Sequence, residues 1–286
     1  MLALTTATVE RILTRTHGFL ATVSSHSLQP YRGCALGNSL CGAGCYVRHN
    51  VFLTRGQEWG SFVETRGNAA QAYRNEFAAE RQWARRKLGR FGIFLSSSTE
   101  PFQPAERTAR ITRGLLESML EFPPDLLIVQ THSHRVAEYI DIYPALARIC
   151  DLRFHISIES DRDRLPGLPP SASPVARRIA AAAELKSAGL RVVITVSPLL
   201  PIADPPEFFR RLSGAAHAVV IDHFIGGDGS RDGNRTFRTA LPAAMAAVDP
   251  RSVTLEYRDE IVAVAQKFFP GNVGINVDGF AGRMLA

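Results

Sequence analysis

The chain has 286 residues, 45% of them hydrophobic and 21% charged, with a formal net charge of +6. Four cysteines are too few for a disulfide-stapled scaffold, and the positive balance permits an anionic partner without establishing one. The apolar share supports a sizeable core, and the length allows one large domain or two ordinary ones.

Glu10, Arg11, Arg15 and His17 interrupt the first twenty residues, so no secretory signal is read there. No run approaches the roughly 18 apolar residues of a membrane span. The expectation is a soluble, cytoplasmic protein with no membrane contact, in which clustered cysteines serve a metal or catalysis. Residues 1–27 read as an N-terminal arm, and a first strand is expected near 28–33. It leads into YRGCALGNSLCGAGCYVRHN (31–50), which holds three of the four cysteines as Cys34-x6-Cys41-x3-Cys45. A helix is expected at about 69–87; its basic run ERQWARRKLGR reads as a solvated face, with nucleic acid left open as a partner.

From about residue 90, apolar β-branched runs alternate with helical stretches. FGIFLSS (91–97) precedes AERTARITRGLLESMLEF, and LLIVQT (126–131) precedes VAEYIDIYPALARI. RFHISIES (153–160) precedes SPVARRIAAAAELKSAG, where Ser173 is the expected N-cap, Pro174 the first helical residue and Gly189 the stop. LRVVITVSPLLP (190–201) and HAVVIDHFIGG (217–227) continue the series. Runs without alternation indicate strands buried on both faces, and units of roughly 30 residues indicate a parallel α/β architecture, an open sheet or a barrel. The main domain is read as 28–230. A C-terminal appendage, 231–286, carries a helix at 257–269 and a short strand GINVDG (274–279).

In such folds the strand C-termini form the functional face. Here they read SSSTEP (96–101), QTHSH (130–134), SIESD (157–161), VSP (196–198) and DHF (222–224), rich in hydroxyl, acidic and imidazole groups. The cysteine loop, following the first strand, is expected to open onto the same rim. Three thiolates with no obvious fourth fit a [4Fe–4S] cluster that leaves one iron open. His49, four positions after Cys45, leaves a Cys3His zinc site as the alternative, within a zinc-stabilised nucleic-acid-binding protein.

QPYRGC before the first cysteine and CYVRHN from the last resemble the cluster loop of radical S-adenosylmethionine (SAM) enzymes, in particular the spore photoproduct lyase-like branch. WGSFVETRGNAA, SSSTEPFQPAERTARITRGLLE, LLIVQTHS, RFHISIES and AAAELKSAGLRVVITVSPLLPIAD follow in the family's order, over roughly residues 28 to 230. The resemblance implies a partial (β/α)6 TIM-like barrel with parallel strands. It also implies a [4Fe–4S] cluster on Cys34, Cys41 and Cys45, with SAM chelating the fourth iron and cleaved to a 5′-deoxyadenosyl radical that abstracts hydrogen from an unknown substrate. By the same resemblance Ser97, Ser98, Thr99 and Glu100 would receive the SAM amine. His132, Ser157 and Glu159 would meet its carboxylate or ribose, Tyr46 would lie beside the cofactor, and Asp222 and His223 would face substrate. An electron donor such as flavodoxin or ferredoxin is the implied partner.

The chain departs from the family in three places. The family spacing C-x3-C-x2-C is lengthened by four residues, which Gly33, Gly37, Gly42 and Gly44 would let the backbone accommodate. The residue before the last cysteine, usually aromatic, is Gly44. FLSSSTEPF contains no cysteine where the lyase carries its hydrogen donor, and Cys150 is read as a small buried residue. Thymine-dimer repair of the lyase type, the other alternative, is therefore not expected. A barrel that binds SAM or cluster without turnover is a further alternative.

Overall fold

The computed structural model describes residues 2–286. The strands in chain order are β1 (Ala3–Ala7), β2 (Leu13–Arg15), β3 (His26–Leu28), β4 (Tyr31–Gly33), β5 (Phe62–Arg66) and β6 (Gly92–Leu95). They continue with β7 (Leu126–Thr131), β8 (Asp151–Ser157), β9 (Arg191–Val196), β10 (Ala218–Ile221) and β11 (Val273–Ile275). The apolar runs of the sequence become one open sheet of order β11-β10-β9-β8-β7-β6-β3-β2. Every neighbouring pair from β3 to β11 is parallel, and β2 alone runs antiparallel, against β3. The edges β2 and β11 are not paired with each other, so the fold is a partial barrel.

Successive residues of each strand face opposite ways. Leu127, Val129, Phe154, Ile194 and Val219 turn outward onto the helices Ile111–Glu121, Val175–Ser187, Pro205–Ala215 and Leu255–Phe268. Phe94, Ile128, Val193 and Val220 turn inward onto Phe280, which fills the interior. This two-sided burial is why the runs lack alternation.

Several sequence expectations change in detail. The strand expected at 28–33 is two, because Pro30 cannot donate to a ladder: β3 stays in the main sheet, and β4 joins a separate three-stranded sheet of order β1-β5-β4. The arm thus supplies β1 to the small sheet and β2 to the large one. The helix after β6 breaks at Arg110, whose φ is +49°. There the Glu106 carboxylate accepts from the amides of Thr112 and Arg113, both at 3.0 Å, and from Tyr139 Oη at 2.7 Å. The third helix is mostly the 3-10 segment His134–Tyr139 with a short helix Tyr143–Ala147. Ser173 is not the N-cap of Val175–Ser187. Its hydroxyl accepts from the His134 amide (3.0 Å), while Asp163 accepts from the Val175 amide at 2.7 Å. Gly189, at φ +77°, does end that helix. GINVDG supplies only Gly274 and Ile275 to β11, which starts at Val273, before the helix Asn276–Phe280 begins, and β11 extends the main sheet beside β10.

Candidate functional site

One cavity of about 290 Å³ opens at the C-terminal ends of the parallel strands. Cys34, Cys41, Cys45 and Tyr46 line it on one side; Ser97, Ser98, Thr99, Glu100, His132, Ser157, Glu159 and Asp222 line it from the strand ends. The structure thus brings together residues spread over nearly two hundred positions. His49 is exposed and outside the lining, and His223 is wholly buried, its Nε2 donating to the Ser252 carbonyl at 3.0 Å and its Nδ1 accepting from the Ile225 amide. His223 is therefore a structural histidine. Cys150 packs half-buried against the main core, away from the cavity.

The thiol side is built by close backbone packing. β4 delivers Cys34 from the small sheet, and Gln103, fully buried, accepts from the Ala35 amide at 2.9 Å. Arg48 donates to the Ala43 carbonyl at 3.1 Å. Gly42 lies so close on Gly37 that a side chain at 42 would run into the Gly37 carbonyl, and a Cβ at 37 would come within 2.6 Å of the Gly60 backbone. All four cysteines are free thiols. Burial, then the nearby Cys41, raises Cys34 well above its ordinary pKa, and the same two causes push Cys45 up to about 12. Sulfurs that disfavour one another's charge in a desolvated pocket are suited to a metal, whose own charge reverses that penalty.

Among the described residues no three His, Cys, Asp or Glu groups are set to hold a single metal ion. One tetrahedral zinc, about 2.3 Å from each sulfur, would need the sulfurs roughly 3.8 Å apart. A cubane cluster carries its thiolates on separate corners and spreads them wider. With His49 outside the cavity, the Cys3His set expected for zinc is not brought together.

The opposite side is polar. Gln29, unremarked in the sequence, donates from Nε2 to Ser97 Oγ at 2.8 Å and accepts from the Ser98 amide and Thr99 Oγ1, both at 3.3 Å. Tyr46 Oη donates to the Ser97 carbonyl, joining the cysteine loop to β6. Glu100 is spoken for within the fold: it accepts from Thr131 Oγ1 (2.6 Å), the His132 amide (2.8 Å) and the Phe102 amide (2.9 Å). Burial nevertheless raises its pKa. His132 Nδ1 stands 2.7 Å from Glu159 Oε1, and Arg178 donates to Glu159 Oε2 at 2.7 Å and to the Ser157 carbonyl. Burial opposes charge on His132, but the Cys41 sulfur and Glu159 outweigh it and hold the imidazole well above its usual pKa. Burial likewise opposes charge on Glu159, and Arg178 followed by His132 reverses that, holding it well below the carboxylate range.

Ser96 Oγ, Gln130 Oε1, Arg178 Nε and Asp222 Oδ1 are buried around this cavity without a hydrogen-bond partner. Unpaired buried polar atoms are costly, and four around one cavity indicate a site shaped for a polar ligand. Gln130 was legible as the lone amide in an apolar strand. Arg178, in the first turn of the helix Val175–Ser187, was not.

Burial pushes Asp222 up to about 7, against the hydrogen bond its Oδ2 accepts from Ser197 Oγ at 2.8 Å. The folded protein therefore keeps this proton to about pH 7, whereas the unfolded chain releases it near 4. Because the folded state binds more protons in that window, this group's contribution to stability falls as pH rises through it. Asp222→Asn is expected to raise the melting temperature by several degrees at pH 8 and much less at pH 4. An equal change at both pH values in a thermal scan would contradict this.

No family model and no curated protein matches this chain. Solved structures of spore photoproduct lyase do. A cysteine-to-serine mutant of that enzyme is 16% identical at a TM-score of 0.62, with 96% of this chain and 81% of that one covered. A mutant with bound AdoMet and dinucleoside spore photoproduct, and the lyase complexed with that dinucleoside, are each 15% identical at the same TM-score and coverage. At such identity the likeness establishes the fold: the partial TIM-like barrel of those lyase structures.

Proposed function

We propose that this chain is a radical SAM enzyme of the spore photoproduct lyase-like branch, acting in the cytoplasm on a substrate other than spore photoproduct. The observation that carries the reading is the single cavity in which three free thiols meet a polar strand-end face, on the fold of that lyase. Cys34, Cys41 and Cys45 would hold the [4Fe–4S] cluster. When bound, the cluster supplies the electron that splits SAM into methionine and a 5′-deoxyadenosyl radical.

The chain's own residues hold and orient SAM. Ser98 and Thr99, fixed by Gln29, present hydroxyls and carbonyls to its ammonium. His132, kept protonated by the Cys41 sulfur and Glu159 and oriented by the Glu159–Arg178 pair, donates toward its carboxylate. Ser157, set by Gln130 Nε2 at 2.7 Å, and the unpaired Gln130 oxygen serve ribose hydroxyls. Tyr46 and Asp222 face substrate across the remaining volume. A nucleic-acid substrate is compatible with the dinucleoside bound by the lyase structures.

The test is anaerobic reconstitution followed by reduction with dithionite. Near four irons with acid-labile sulfide per chain, and 5′-deoxyadenosine formed from SAM, are expected, both absent from Cys34→Ala. One zinc without iron would overturn the reading. With the dinucleoside spore photoproduct added, no thymine release is expected, because the cavity offers no spare thiol and Cys150 lies outside it. Thymine release absent from the Cys34→Ala control would restore the repair reading.

A further inference from the structure

Six residues after Cys45, the helical turn Val51–Thr54 turns two apolar side chains outward, leaving Val51 69% and Phe52 85% exposed. The turn is well determined locally. Asn50 Oδ1 accepts from the amides of Phe52 (3.1 Å) and Leu53 (3.3 Å), and Arg55 ends it at φ +50°. Its inner residue, Leu53, packs on the apolar cluster that contains Cys34, Val47 and Trp59 and that Cys45 also joins. The exposed pair therefore backs directly onto the thiol site, yet none of residues 48–55 lines the cavity. Around the pair the surface is mostly basic: Arg48 and Arg55 are exposed, and behind burial Arg48, exposed Arg238 and exposed Arg235 lower the pKa of His49 against the buried Asp228. Of the acidic groups nearest in sequence, Glu64 is held by Arg32 at 2.9 Å and only Glu58 is exposed.

We infer that Val51, Phe52 and the arginines around them form the docking face for a small acidic protein that carries one electron at a time. This rests on the radical SAM reading, in which the reductive cleavage of SAM needs one electron that is first delivered from outside the chain. That electron passes from the carrier's reduced group, which is oxidised by one unit, to the site behind Leu53. The chemistry of the face matches the task. A small apolar centre with a charged rim gives fast, steered and short-lived association, and electron-transfer encounters occupy the low end of interface sizes. A substrate-binding role would place these side chains on the cavity wall, where they are not.

The experiment uses the reconstituted holoenzyme with flavodoxin as the probe. Phe52→Ser is expected to weaken flavodoxin binding and the flavodoxin-driven 5′-deoxyadenosine rate about tenfold, as truncation of a central interface aromatic does. Arg55→Asn, which suits the left-handed backbone there, should cause a smaller loss that vanishes at high salt. The dithionite-driven rate and the iron content stay at wild-type values in both. Unchanged flavodoxin affinity would overturn the inference. So would a loss of affinity for a single-stranded oligonucleotide with flavodoxin binding intact, which would make this a nucleic-acid face. A wild-type protein inert with dithionite refutes the enzymatic reading separately, and the binding measurement, which needs no turnover, still decides the face.

Discussion

Gly42→Ala is expected to leave the protein folded but without iron. A methyl group at 42 would collide with the Gly37 carbonyl and Cα, and Gly37 is itself pressed on the Gly60 backbone. Backbone cannot rotate aside as a long side chain can, so the segment carrying Cys41 must move off the stack. A displacement of even about 1 Å is large for a metal site, which needs its ligands within about 0.2 Å of their proper distances. The main sheet does not pass through this contact, so most of the secondary structure should persist. The comparison is Gly214→Ala, where a Cβ meets nothing within 4 Å and the residue lies inside the helix Pro205–Ala215. That change should be neutral or slightly stabilising. Iron per chain after reconstitution and a far-ultraviolet circular dichroism spectrum decide the matter. Full iron content in Gly42→Ala would show that the glycine stack does not set the thiol geometry.

The second large effect is expected at Arg178. Its side chain is 2% exposed and its guanidinium pairs with Glu159, itself buried. Arg178→Met keeps most of the volume but leaves the buried carboxylate only His132 as a charged partner. Breaking one side of a buried pair costs about 3–5 kcal/mol, readable as a fall in the denaturant midpoint at unchanged slope. Glu159 would then hold a proton more readily, and SAM binding should weaken because His132 keeps only the Cys41 sulfur of the two groups that hold its charge. Adding Glu159→Gln to Arg178→Met should recover part of the stability, since the buried carboxylate is gone, and none of the SAM affinity. A single Arg178→Met protein as stable as wild type would mean that His132 alone suffices to hold Glu159.

How far these features were legible follows from where their causes lie. β7 was read to the residue, 126–131, because a continuous apolar run needs only two-sided burial to become a central strand. The cysteine loop and the polar strand ends were legible from residue type, spacing and flanking motifs. The break at Arg110 was not, because its cause is tertiary: the Glu106 carboxylate, shared with Tyr31 and Tyr139, takes the amides that begin the next helix. Ser173 and Pro174 looked like a standard helix start, yet His134, thirty-nine residues earlier, claims the hydroxyl. Arg178 is the clearest case. In a run such as ARRIAAAAELK an arginine reads as solvated, and only the approach of Glu159 from the strand end gives it a buried counter-ion.

The small sheet β1-β5-β4 sets a timetable for the site. All its strands lie within the first 66 residues, while the strands that end in Glu100, His132, Ser157 and Asp222 come later, up to residue 221. Chains grow from the N-terminus and their early parts begin to fold first. The small sheet can therefore form while the ribosome is still making the wall that will enclose the thiols. The thiols themselves are fixed only later, since Gln103 holds Ala35 and Leu40, beside Cys41, packs on Leu165, Leu200 and Leu241. During that interval the thiols face water and oxidant instead of Glu100 and His132, so slow synthesis of the middle third prolongs their exposure, and loading of the proposed cluster would belong after release of the finished chain.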